Sequence, residues 1–123
     1  SIATIELKND HIKTFQHLLI DKKMYLNPNL TLEKFAESMK ISPGHLSRII
    51  KSDLKTNFTD IVNVKRVEAA KRYLENPKFS NYTIIAIGLE AGFNSKSAFF
   101  EVFKKLTGKT PTEYKKIKNN TSI

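Results

Sequence analysis

The sequence predicts an all-α protein in which two short helix-turn-helix units are joined by one long helix. Three observations carry that expectation. Apolar residues recur at i, i+3, i+4 and i+7 in segment after segment of the 123 residues, the period of a helix with one buried face. One such cluster comes back: Leu46, Ile49, Ile50 and Lys51 return as Phe99, Val102, Phe103 and Lys104, an offset of 53 residues (99 − 46), so a short helix, a turn and a longer helix occur twice. Between the copies one helical pattern runs from Asn57 to Glu75 and is stopped by Asn76-Pro77, because the residue before a proline is pushed out of the helical region.

The elements follow in order. Ile12, Phe15, Leu18 and Leu19 form the stripe of an opening helix, with Asn9 or Asp10 as its cap and its end before Asn27-Pro28-Asn29. Thr31 caps a short helix whose face is Leu32, Phe35, Ala36 and Met39. After a break at Lys40-Ile41, Ser42 caps the next helix and Pro43 takes its first position, where a missing N–H costs nothing. Leu46, Ile49 and Ile50 are its buried side. The long pattern carries Phe58, Ile61, Val62, Ala69, Ala70, Tyr73 and Leu74; its nineteen residues give a rod of about 28 Å. Thr83 then starts a helix with Ile84, Ile87 and Leu89, which Gly92 breaks. Asn94 or Ser95 caps the helix of Phe99, Val102 and Phe103, and Pro111 opens a last helix carrying Tyr114. The expected organisation is 1–56 for the opening helix and first unit, 57–76 for the linker helix, 77–118 for the second unit and last helix, and 119–123 for a flexible tail.

Composition narrows the function. There is no cysteine, which removes disulfides, thiolate nucleophiles and the usual zinc modules. His11, His17 and His45 have no metal-ligand spacing, and neither a carboxylate pair nor a Ser/His/Asp set converges, so no enzyme, metal or cofactor is expected. No stretch is long and apolar enough to span a membrane and no signal segment opens the chain; a cytoplasmic location and no membrane contact are expected. Net charge is +9. Residues 1–40 carry six basic and five acidic side chains, 41–80 eight and four, and 81–123 seven and three. The excess lies in the last two thirds, a field that attracts polyanions. Two readings remain at this point: a double-stranded DNA binder, favoured by the repeated unit and the length of the spacer, which is of the order of the ~34 Å between successive major-groove faces, or a basic helical module for a protein or anionic surface.

These residues resemble the DNA-binding domain of the AraC/XylS family of bacterial regulators, over roughly residues 24 to 116. The first unit shows Leu30-Thr31-Leu32-Glu33, Phe35-Ala36, Ile41-Ser42 and Leu46-Ser47-Arg48; the linker shows Phe58, Asn63, Arg66-Val67, Ala70 and Leu74. The second unit shows Ile84, Ile87, Gly92-Phe93-Asn94-Ser95, Ser97, Phe99, Phe103-Lys104-Lys105, then Thr107-Gly108-Lys109-Thr110-Pro111 and Tyr114. The resemblance implies an all-α fold of about seven helices, two recognition helices in adjacent major grooves of promoter DNA, and control of RNA polymerase recruitment. Family members join such a domain to a sensor or oligomerisation domain, or act alone. This chain, starting at Ser1 rather than methionine, is expected to be the output domain of a longer regulator, dimerising through a region outside it.

Within that frame the first recognition helix offers Ser42, Gly44, His45, Ser47, Arg48 and Lys51. Arg48 suits a base, since a guanidinium grips guanine O6 and N7 with two bonds, or a phosphate. The second offers Ser95, Lys96, Ser97, Phe100, Glu101, Lys104 and Lys105. Phe100-Glu101 departs from the small polar residue and arginine that many family members have. Phe100 presses a thymine methyl or packs inside the fold; Glu101 accepts from cytosine N4 or pairs with Lys104 or Lys105. Arg66 lies within the linker's apolar stripe, four residues from Val62 and from Ala70, where an unpaired charge is costly; it is expected to be a structural brace satisfied by carbonyls or an acid. Gly88 costs helix stability, about 1 kcal/mol, unless close packing needs it. Lys115, Lys116 and Lys118 reach the DNA backbone or form a solvated face.

Overall fold

In a computed structural model, which describes residues 2–121, the chain forms seven α-helices and no strand among those residues. They are α1 (Ile2–Gln16), α2 (Leu32–Met39), α3 (Pro43–Leu54), α4 (Phe58–Glu75), α5 (Ile84–Glu90), α6 (Lys96–Thr107) and α7 (Pro111–Thr121). Side chains that accept orphaned backbone N–H groups set where most of them begin. Thr31 Oγ1 accepts from Lys34 N, Ser42 Oγ from His45 N and Ser95 Oγ from Ala98 N, each at 3.1 Å, and Thr83 Oγ1 from Ala86 N at 3.0 Å. Asn57 Oδ1 accepts from Asp60 N at 2.8 Å, so Asn57 caps α4. Of the two caps open for α6, Ser95 is the one used. Thr110 and Glu113 cap α7 reciprocally, at 2.9 and 3.1 Å.

The chain divides into two compact units: the first takes the chain up to Tyr25 and Asn29–Val62, the second Leu26–Pro28 and the chain from Asn63 on, so that one boundary falls inside α4. In the first, Phe15, Leu19, Tyr25, Phe35, Ala36, Leu46, Ile49, Ile50 and Val62 are buried. Phe35 is the centre: its ring lies 4.9 Å from that of Phe15 and 5.6 Å from that of Phe58. Lys40, at φ 60, closes α2 in the left-handed region and turns the chain toward α3.

In the second unit Val67, Ala69, Ala70, Leu74, Ile87, Ala91, Phe93, Phe99 and Phe103 are buried. Phe99 meets Phe93 at 5.1 Å and Phe103 at 5.7 Å, and Phe103 meets Tyr114 at 5.4 Å. Gly88 is required by this packing, because a Cβ there would stand 2.4 Å from Phe99 Cδ2. Gly92, at φ 101, makes the turn from α5 to α6. Lys118 Nζ reaches Glu75 Oε1 at 3.3 Å and stands 5.5 Å from the Tyr114 ring centroid, tying α7 to the end of α4. Tyr114 is held above its ordinary pKa by burial and by the carboxylate of Glu75.

Three expectations change. The opening helix does not begin at a cap on Asn9 or Asp10: α1 already runs from Ile2, and both residues are exposed within it. Nothing from Ile2 to Lys8 is a glycine or proline that would stop it. That helix continues through a π-helical turn at His17–Asp21, where Leu19 is buried. Leu89 is 51% exposed, because the inner face of α5 is set by Ile84, Ile87 and Gly88 and five residues of rotation carry Leu89 off it. Asn119 to Thr121 continue α7; residues 122 and 123 of the expected tail lie outside the described residues.

Candidate functional site

The candidate residues lie on the two helices that follow the turns. On α3 the Ser42 hydroxyl is engaged at the cap, Gly44, Ser47, Arg48 and Lys51 are exposed, and His45 is half-buried. The His45 ring meets that of His11 on α1 edge to face, 5.0 Å apart. Arg48 lies back along the helix over Gly44, its Nη1 standing 3.4 Å from the position a Cβ there would take. Neither Arg48 nor Lys51 has an acidic partner among the described residues. Their cations are therefore available to an outside anion.

On α6 the Ser95 hydroxyl is likewise engaged at the cap, while Lys96, Ser97, Glu101, Lys104 and Lys105 are exposed and Phe100 is half-buried. Phe100 meets the Phe99 ring edge to face at 5.9 Å, and Lys96 Nζ stands 5.3 Å from its ring centroid. Glu101 pairs with neither Lys104 nor Lys105 among the described residues. Each helix thus turns its apolar side inward and a polar, mainly cationic side outward.

The remaining candidates are placed differently. Arg66 is half-buried on α4 and its Nη2 donates to the carbonyl oxygen of Asn27 at 2.9 Å. Burial holds its guanidinium below the ordinary arginine pKa. Of the lysines on α7, Lys118 is taken by Glu75, Lys115 is half-buried and Lys116 is exposed.

A feature not read from the sequence is a half-open groove of about 630 Å³ beside α3, lined by Leu7, His11, His45, Arg48, Ile49, Lys51 and Ser52. Leu7 and His11 sit four residues apart on α1, and stepping back from Phe15 by four and then eight residues would have flagged His11 and Leu7. What the sequence does not carry is that α1 packs beside α3.

A helix-turn-helix domain model matches residues 35–117. The chain is 31% identical over 93 residues to an uncharacterized HTH-type transcriptional regulator of Staphylococcus aureus (strain MSSA476), a match that covers 76% of this chain and 12% of that protein. It is 31% identical over 98 residues to the uncharacterized transcriptional regulatory protein YesN of Bacillus subtilis (strain 168), covering 78% of this chain and 26% of that one. The chain therefore spans about an eighth of the length of the staphylococcal relatives and about a quarter of the Bacillus one. Among solved structures it resembles the C-terminal domain of the two-component response regulator YesN from Fusobacterium nucleatum, with TM-score 0.74 and 28% identity, covering 86% of this chain and 98% of that one. It also resembles the C-terminal domain of AraT, a response regulator from Geobacillus stearothermophilus, with TM-score 0.73 and 28% identity, covering 89% and 84%.

Proposed function

Because the chain belongs to the helix-turn-helix family of AraC-type DNA-binding domains, we propose that it binds double-stranded promoter DNA with α3 and α6 in successive major grooves, as the output domain of a longer transcription regulator. The observation that carries this reading is the duplicated unit. A Thr-capped short helix, a turn and a Ser-capped helix of 12 residues occur twice, each with an outward face free for a polyanion. The 18 residues of α4 between the copies rise about 27 Å, which suits two contacts about one helical turn of DNA apart.

On α3, Arg48 reads a guanine through O6 and N7, with Ser47 and Gly44 beside it and Lys51 on a phosphate. On α6, Lys96, Lys104 and Lys105 hold phosphates, while Ser97, Phe100 and Glu101 face the bases. Ser42, Ser95 and His45 position these faces, and Arg66 braces α4. Contact with RNA polymerase, and pairing of two copies through a region outside this chain, complete the regulator; its place of action is where promoter DNA is, the cytoplasm.

The test is binding to a duplex selected by the chain from random sequence, with selected and scrambled competitors across a salt series. Affinity is expected to fall steeply with salt for both, and the selected competitor is expected to win at every salt. Equal competition throughout would leave a basic module without sequence preference and end this reading.

A further inference from the structure

Lys96, Phe100 and Lys104 stand at i, i+4 and i+8 of α6, a line of side chains about 12 Å long on the helix surface. The B-DNA major groove is also about 12 Å wide, with phosphates at its edges and base edges along its floor. A helix carrying that line across the groove brings its two ends to phosphates and its middle to bases. The middle residue is aromatic and unable to hydrogen-bond at its ring. It is held edge-on by the Phe99 ring at 5.9 Å and has the Lys96 ammonium 5.3 Å from its centroid, so its direction is fixed from two sides. Next to it Glu101 is exposed and without a cationic partner among the described residues. A carboxylate there repels phosphate, which keeps this part of the helix on base edges rather than on the backbone.

Resting on the DNA reading proposed above, we infer that Phe100 reads the 5-methyl group of thymine in the half-site entered by α6, between phosphate contacts from Lys96 and Lys104. Thymine is the one standard base with an apolar group in the major groove. The corresponding position of the first unit is Ser47 (100 − 53), which offers one methylene and a hydroxyl in place of a ring. At this matched position, recognition of a methyl group by a ring belongs to the half-site of α6.

Uracil interference on the selected duplex tests this, because uracil differs from thymine only by the methyl group. Replacing the thymine under α6 by uracil is expected to weaken binding about fourfold, the worth of one buried methyl group. A 5-methylcytosine·guanine pair at that position is expected to bind more tightly than cytosine·guanine. Phe100→Ala should bind the thymine and uracil duplexes equally. Phe100→Gln, whose stem still covers Phe99, should do the same, and circular dichroism of both variants checks that α6 is intact. The half-site is located with Leu106→Cys, the single cysteine of the chain, carrying a DNA-cleaving reagent. A wild-type chain that prefers the selected duplex yet shows no uracil-sensitive thymine near that cleavage overturns the role of Phe100 and leaves the DNA reading standing. So does a uracil effect that persists in both variants. No preference for the selected duplex at all overturns both.

Discussion

Arg48 and Glu101 occupy the same place in two copies of one motif, 53 residues apart (101 − 48), and carry opposite charges. The frames around them are alike. Leu46, Ile49 and Ile50 on α3 and Phe99 and Phe103 on α6 are buried, and each helix starts from a serine hydroxyl at 3.1 Å from the third backbone N–H. Buried positions answer to packing, which both copies must satisfy; the outward positions answer only to what approaches from outside. The contrast teaches that repetition in this chain lies in the scaffold, and that the two outward faces differ in charge at matched positions.

That comparison can be broken first at its scaffold. The second unit depends on a glycine where the ring of Phe99 leaves no space, so Gly88→Ala should lower stability by about 1–3 kcal/mol through overpacking, despite the better helix propensity of alanine. Urea denaturation measures it, and an unchanged or raised midpoint would show that the contact is soft. The outward faces come next. Arg48→Ala should lose about 1–3 kcal/mol of preference for the selected duplex over scrambled DNA, while Glu101→Ala, which removes a charge repelled by phosphates, should tighten binding to scrambled DNA. Competition binding that finds the same sign for both variants would refute the asymmetry.

Smaller effects sharpen the likeness. Ser42→Ala and Ser95→Ala should each cost about 1 kcal/mol in thermal unfolding, and by similar amounts, because the two caps have the same geometry. A cost confined to one of them would mean that the frames are less equal than their distances. Smallest is a contribution at α7 that tracks pH. Glu113 is held below the ordinary carboxylate pKa by the backbone N–H and then the hydroxyl of Thr110. A depressed folded-state pKa means that the stabilisation is fully present above the ordinary glutamate value and is lost as pH falls through the folded one. Stability curves of wild type and Glu113→Gln should therefore differ less in acid than at neutral pH; a constant offset would rule out titration of this cap.

Much of the fold was legible because its signals are local. Thr31, Ser42, Pro43 and Thr83 sit where polar caps or a proline must precede an apolar period, and the structure uses each as expected. Other features are invisible along the chain. One acceptor of Arg66 is a main-chain carbonyl 39 residues away, and every residue has a carbonyl, so side-chain identity could not single out Asn27. The demand on Gly88 comes from Phe99, eleven residues on and across a turn. Asn9 and Asp10 resemble a helix start but are exposed inside α1, since a polar residue without a preceding breaker reads equally as a solvent face. At the candidate site, which side chains point outward was readable from the helical period. The i,i+4 neighbour of Phe100, Lys96, was readable in the same way, whereas His11 beside His45 comes only with packing.

One boundary between the units falls inside α4, after Val62, and this limits how the molecule can be taken apart. A chain cut there keeps only Phe58–Val62 of that helix, far below the ~12–15 residues at which an isolated helix becomes marginal in water. The half carrying Arg48 would keep Phe58, whose ring meets that of Phe35, only on a stub too short to hold a helix, and the half carrying Phe100 would begin on an uncapped turn. Chimeras that exchange one reading face for another will fold when the exchange is made at Asn57 or at Asn76-Pro77, where the chain already stops and restarts its helices, and will fail when it is made at the midpoint. The natural module for recombination here is a half-domain that carries the whole of α4 with it.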